Sequence, residues 1–129
     1  MSHQPAGKPC YCNLPGWMPG VEHIPITWGL PTSIANHQGE MDPAAVVNHI
    51  MQGYLSTMVD WTVNGGSKVI VHFGIGRSGR IVQMHPIFSP GIHASTRVLD
   101  APVTAQAVRQ RTASPNAYSI GIEHEGASV

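Results

Sequence analysis

Apolar and polar residues alternate most clearly near the end of the chain, where Ile120, Ile122 and His124 fall on one face and Ser119, Gly121, Glu123 and Glu125 on the other. Such period-2 alternation predicts a strand. A carboxylate in a β-rich apolar run, two residues after a glycine that lets another group approach the backbone, makes Glu123 a candidate acid/base. An edge strand with solvated carboxylates fits the same pattern. Upstream, Thr32–Gly39 reads as a short strand closed by a glycine turn. Asp42 and Pro43 then offer an N-cap and a first helical residue. Val46, Val47, Ile50, Tyr54 and Met58 recur at helical spacing, predicting a helix of about four turns that ends near Asp60. After the break at Asn64-Gly65-Gly66, Lys68–Ile75 and Arg80–Met84 read as a hairpin around the tight turn Arg77-Ser78-Gly79. A loop through Gly91–Ser95 follows, and Val103–Arg111 is a short helix or an insertion. Strand, helix, hairpin, loop and strand together predict an α/β fold, a mixed central β-sheet flanked by helices.

Residues 1–20 carry Pro5, Pro9, Pro15 and Pro19 with little periodicity and read as an extended Pro/Gly-rich arm. Residues 21–129 then make one domain, which is what a chain of 129 residues supports. Seven basic residues balance seven acidic ones, so no charge field points to nucleic acid or to a membrane surface. No apolar run approaches a membrane span, and the N-terminus lacks the basic-then-apolar plan of a signal peptide. The expected site of synthesis is therefore the cytoplasm. Eight histidines in a chain so poor in charge point to metal or proton chemistry without locating it. Cys10 and Cys12 are too close in sequence for an unstrained mutual disulfide and read as two free thiols, with metal binding as the alternative.

Three motifs in order carry a resemblance. Val71-His72-Phe73 through Arg77-Ser78-Gly79 to Ile81-Val82-Gln83 resembles the hairpin of zinc-dependent N-acetylmuramoyl-L-alanine amidases, with Ser78 where the family has Asp. Gly91-Ile92-His93-Ala94 is similar to the family's Trp-His-Ala-Gly loop. Asn116 through Ser119-Ile120-Gly121-Ile122-Glu123 is similar to its Asn-x-x-Ser-Ile-Gly-Ile-Glu strand. The family includes amidase-type phage lysozymes and peptidoglycan-recognition proteins.

The resemblance implies a peptidoglycan hydrolase, such as a phage endolysin or cell-wall amidase, acting on the wall after release. It would cut between N-acetylmuramic acid and L-alanine with zinc-activated water. It implies Glu123 as the proton shuttle and His72, His93 and Asn116 as substrate-binding residues. The first zinc ligand in the family is a His at the end of the opening strand, just before the first helix. Given the strand expected over Thr32–Gly39, that is His37, with His23 as the alternative, while His49 and His85 match no family position. The second and third ligands and the last helix lie downstream of the Glu strand in the family. The resemblance covers roughly residues 30–126, the N-terminal two-thirds of the domain, and so implies an incomplete zinc cage. It also implies an apolar sheet face for a partner or second chain to cover. A non-catalytic peptidoglycan-binding module, an inactive fragment and a structural protein reusing the fold are the competing readings.

Overall fold

The computed structural model describes residues 10–94 and 106–126. Two seven-residue strands set the frame. Ala45–Met51 (β2) and Ser119–Glu125 (β5) pair in parallel over seven residues, from Ala45 opposite Ser119 to Met51 opposite Glu125. Phe73–Ile75 (β3) pairs in parallel with β5 on its other side and forms an antiparallel hairpin with Ile81–Gln83 (β4). Glu22–His23 (β1) closes the sheet, giving the order β1-β4-β3-β5-β2. The sheet is mixed and helices flank it, as the sequence pattern predicts. The hairpin turn is also where the sequence puts it: Gly79 adopts φ 90° and its N–H donates to the Gly76 carbonyl at 2.9 Å.

The region before the hairpin differs from expectation. Residues 43–60, predicted as one helix, form strand β2 and then helix α2 (Leu55–Asn64). Gly53 separates them at φ 112°, a conformation no α-helix contains. The β-branched Val46, Val47 and Ile50 satisfy strand pairing against Ile120, Gly121 and His124 as well as they satisfied a helical count. Conversely, the strand expected over Thr32–Gly39 is a short helix, α1 (Thr32–Ala35), followed by turns. Pro31 initiates it, its carbonyl accepting from Ile34 and Ala35 at 2.9 and 2.8 Å. Of the stretch 103–111, Gln106–Arg109 is a helix (α3) and the part before 106 lies outside the described residues.

Register sorts the two faces. His49, Glu123, Gly121, Gly74 and Val82 share one face, and α2 packs there through Leu55, Val59 and Val63. Burying each such side chain stabilises by about 1.5–3 kcal/mol. Contact is close at Gly74, where a methyl group would meet Leu55 Cδ1 at 2.7 Å and the end of Met58. Helix α2 ends at Gly65, whose φ of 79° and packing under the Trp28 ring both require glycine. On the other face, Val46, Ile50 and Ile81 stand 53, 80 and 36% exposed, matching the expected apolar face.

Residues 10–20 do not extend away as an arm. Gln83 accepts from Met18 N at 2.8 Å and donates to Gly16 O at 2.7 Å, seating this segment on β4. Cys10 and Cys12, expected as free thiols, are joined in a disulfide. The turn at Tyr11 brings their Cα atoms to 5.5 Å, within the usual disulfide span.

Candidate functional site

Three side chains meet on the α2 face of the sheet. His49, near the end of β2, lies opposite Glu123 of β5 in register. His93 reaches over from the loop after β4, its Nδ1 3.1 Å from His49 Nε2 and the two rings nearly perpendicular. Its ring rests directly on Gly121, where a methyl group would meet Cγ and Cδ2 at 2.7 Å. The glycine two residues before Glu123 thus admits a close neighbour, and that neighbour is His93.

The His93 loop is held from behind. Asn116 Oδ1 accepts from His93 N at 2.9 Å and Ala94 N at 2.8 Å. Burial lowers the His93 pKa to about 4, the nearby His49 adds to the shift, and the Ser119 carbonyl opposes it. The ring is therefore neutral near pH 7, and its Nε2 is buried without a well-formed hydrogen bond. Glu123 sits half-buried, and desolvation raises its pKa above the ordinary carboxylate range, against the opposite pull of His49 and His124. A carboxyl so shifted takes and returns a proton more readily near neutral pH. It opens into a groove of about 330 Å³ lined by Met51, Tyr54, Met58 and Trp61.

His72 is fully buried. Its Nε2 donates to Ser89 O at 2.7 Å and its Nδ1 accepts from Gly121 N at 3.0 Å, so both nitrogens are committed inside the protein. Desolvation lowers it to about 3, with His85 and His93 acting in the same direction and the Ser89 contact opposing. His85, donating to Pro90 O at 3.0 Å, is a packing residue of the same kind. His37 lies on an exposed turn and pairs with Glu40 at 2.8 Å. It does not join His49, His93 and Glu123, but it lines, with Met41, Gly91 and Asn116, a second cavity of about 550 Å³ beside the His93 loop.

The family model described as N-acetylmuramoyl-L-alanine amidase matches residues 36–128. The chain belongs to the N-acetylmuramoyl-L-alanine amidase family. Its fold is similar to that of the N-acetylmuramoyl-L-alanine amidase LysC from Clostridium intestinale URNW, with a TM-score of 0.54 and 21% identity. That likeness covers 84% of this chain and 60% of LysC, so the chain spans three-fifths of the LysC length. No curated protein matches the chain.

His49, in β2 ahead of α2, is the histidine that the sheet register sets beside Glu123, whereas His37 lies on the turn after α1. Sequence reading passed over His49 because its strand was read as helix. The available signal was the β-branched Val46-Val47 run ahead of it, with Gly53 following. The donor chemistry suits a zinc ion: two imidazole nitrogens on one tetrahedral ion sit about 3.3 Å apart for bonds of 2.0–2.1 Å, and His49 and His93 are 3.1 Å apart. Among the described residues no third His, Cys, Asp or Glu completes a group of three there.

Proposed function

We propose that the chain is a peptidoglycan hydrolase that cleaves the amide between N-acetylmuramic acid and L-alanine with zinc-activated water. The supporting observation is the convergence of a half-buried, pKa-raised Glu123 with the His49–His93 pair on one sheet face. His49 Nε2 would hold the metal, with His93 Nδ1 beside it. Zinc, when bound, lowers the pKa of a water molecule toward ~7 and polarises the amide carbonyl. Glu123 accepts the water's proton and delivers it to the departing amine. Desolvation helps the first half of that exchange, since a raised pKa makes the carboxylate a stronger base. Asn116 fixes the His93 loop, and His72 fixes Gly121 beneath the ring, so both act by positioning. The groove of about 330 Å³ into which Glu123 opens is the place we assign to the muropeptide's scissile amide.

The family's wall substrate supports a role as a phage endolysin or cell-wall amidase, made in the cytoplasm and acting after release. Among the described residues no helix is long and apolar enough to cross a membrane. The exposed Val46–Ile50 face supports a second chain or further segment docking there. Clearing of a sacculus suspension tests the reading. We expect zinc-dependent clearing that Glu123→Gln abolishes, and undiminished clearing by that variant would overturn it. The two-nitrogen donor set favours a second reading, a non-catalytic peptidoglycan-binding module. Retention on sacculi with no release of stem peptides would decide for that module.

A further inference from the structure

We propose that Cys10, Cys12 and His23 form a second metal site, a thiolate–imidazole clasp that binds one zinc ion when the cysteines are reduced and loses it when they are joined. One ligand atom from each of the three residues lies within 4.8 Å of the others. Tetrahedral zinc with two thiolates and an imidazole places its donor atoms about 3.5–3.8 Å apart, so small side-chain adjustments suffice. The proposal stands independently of the amidase reading.

His23 is set up as a ligand by its surroundings. It is 1% exposed, and its Nε2 sits 2.6 Å from Met18 O, so that nitrogen carries the hydrogen and donates. The lone pair is thereby fixed on Nδ1. That atom accepts from the N–H of Tyr11, the residue between the two cysteines, at 2.9 Å. A backbone carbonyl on the far nitrogen is the arrangement that orients metal-bound histidines. The rings of Trp17 and Tyr11 hold the imidazole from the side, with centroids 5.2 and 6.1 Å away. Cys10 Sγ accepts the Cys12 N–H at 3.3 Å, so the backbone between the two cysteines already turns toward the sulfur. Metal binding exchanges the Tyr11–His23 hydrogen bond for a coordinate bond. Two sulfurs and an imidazole select zinc over calcium or magnesium.

The site cannot serve the His49 pair. β1 and β2 are opposite edges of a five-stranded sheet, four strand spacings or about 19 Å apart. Its consequence is mechanical. The disulfide closes a ring spanning only Cys10 to Cys12, whereas the metal ties residue 10 to residue 23 and so fastens the N-terminal segment to edge strand β1. The redox step is a two-electron exchange. An external dithiol gives two electrons and two protons to the disulfide and becomes a disulfide itself; zinc then displaces the two thiol protons to solvent. A disulfide oxidant reverses both steps.

Cobalt(II) titration of the chain, reduced and then oxidised, tests this. We expect a near-ultraviolet thiolate-to-cobalt charge-transfer band that saturates at one ion per chain in the reduced protein and is absent from the oxidised one. Cys10→Ser, at an exposed position, should abolish the band with circular dichroism unchanged, and His49→Ala should leave the band in place. Zinc should also protect the 10–20 segment of the reduced chain from proteolysis. A folded, reduced chain with no band, or a band that survives Cys10→Ser, would overturn the proposal. Loss of hydrolysis in His49→Ala with the band intact would separate the two metal sites.

Discussion

Replacing Gly121 with alanine probes the site without removing any titratable group. The added methyl would lie 2.7 Å from Cγ and Cδ2 of His93 and 2.9 Å from its Nδ1. Ordinary contact begins near 3.4 Å, so the ring must retreat by about 0.7 Å. It has little room to do so. Asn116 holds the backbone at His93 and Ala94, and Gly91 packs against the Ile70 carbonyl and the same ring. Overpacking of this kind costs about 1–3 kcal/mol, a large share of a domain stability of about 5–15 kcal/mol. A retreat of that size also stretches the 3.1 Å His49–His93 contact past useful length. Misplacement by about 1 Å lowers turnover by about 100-fold. Urea unfolding reads the first effect and sacculus clearing the second. Gly29→Ala, with open space around it and no positive φ, is the control and should stay within about 0.5 kcal/mol of the parent. Parental stability and activity in Gly121→Ala would refute the placement of His93 on the sheet.

Other expectations follow from the same geometry. Glu123→Gln should lower hydrolysis by about 10²–10⁴-fold without lowering the urea midpoint, since it removes a partly desolvated charge. His49→Ala should abolish zinc binding on the sheet, measured calorimetrically with the cysteines oxidised, whereas His37→Ala should leave it unchanged. Stability should fall as pH drops from about 6.5 toward 4. His72, His85 and His93 are held near 3, 4 and 4 in the folded chain and protonate earlier when unfolded. Protonation of Glu123 opposes that loss, and protonation of Glu125, whose pKa is lowered by the Leu55 N–H above all, reinforces it lower down. A urea midpoint flat between pH 7.5 and 5 would contradict the burial of these rings.

How far the sequence reveals the fold depends on whether each element's signals are local. The hairpin and β5 were legible because turn glycines and strict alternation lie within the elements themselves. Helix α2 was not, because its N-terminus carries no local cap. Tyr54 occupies the N-cap position without a side-chain bond, and Leu55 N donates instead to Glu125 Oε2, 70 residues away, at 2.6 Å. Asp42-Pro43 offered a better local start and drew the helix over what is strand β2. Parallel pairing with β5 decides that segment, and a partner so distant leaves no trace in a short window.

The site shows the same division. Glu123 and its neighbour Gly121 were found from alternation and spacing, and the family motifs added the His93 loop and Asn116. His49, which the sheet register sets beside Glu123, was passed over because its segment was read as helix. Eight histidines look alike in the sequence, and burial and partners are what separate them. In His72 and His85 one ring nitrogen donates to a backbone carbonyl inside the protein, which fits neutral rings that hold loops to the sheet. His37 answers an exposed Glu40, and His124 donates to Asn48 Oδ1 on the sheet's other face. His49 and His93 instead turn nitrogens toward each other beside a carboxyl that burial inclines to keep its proton. At 3.1 Å one ring's N–H can donate to the other's lone pair, and a zinc ion would take the place of that proton. The His49→Ala titration tests that exchange.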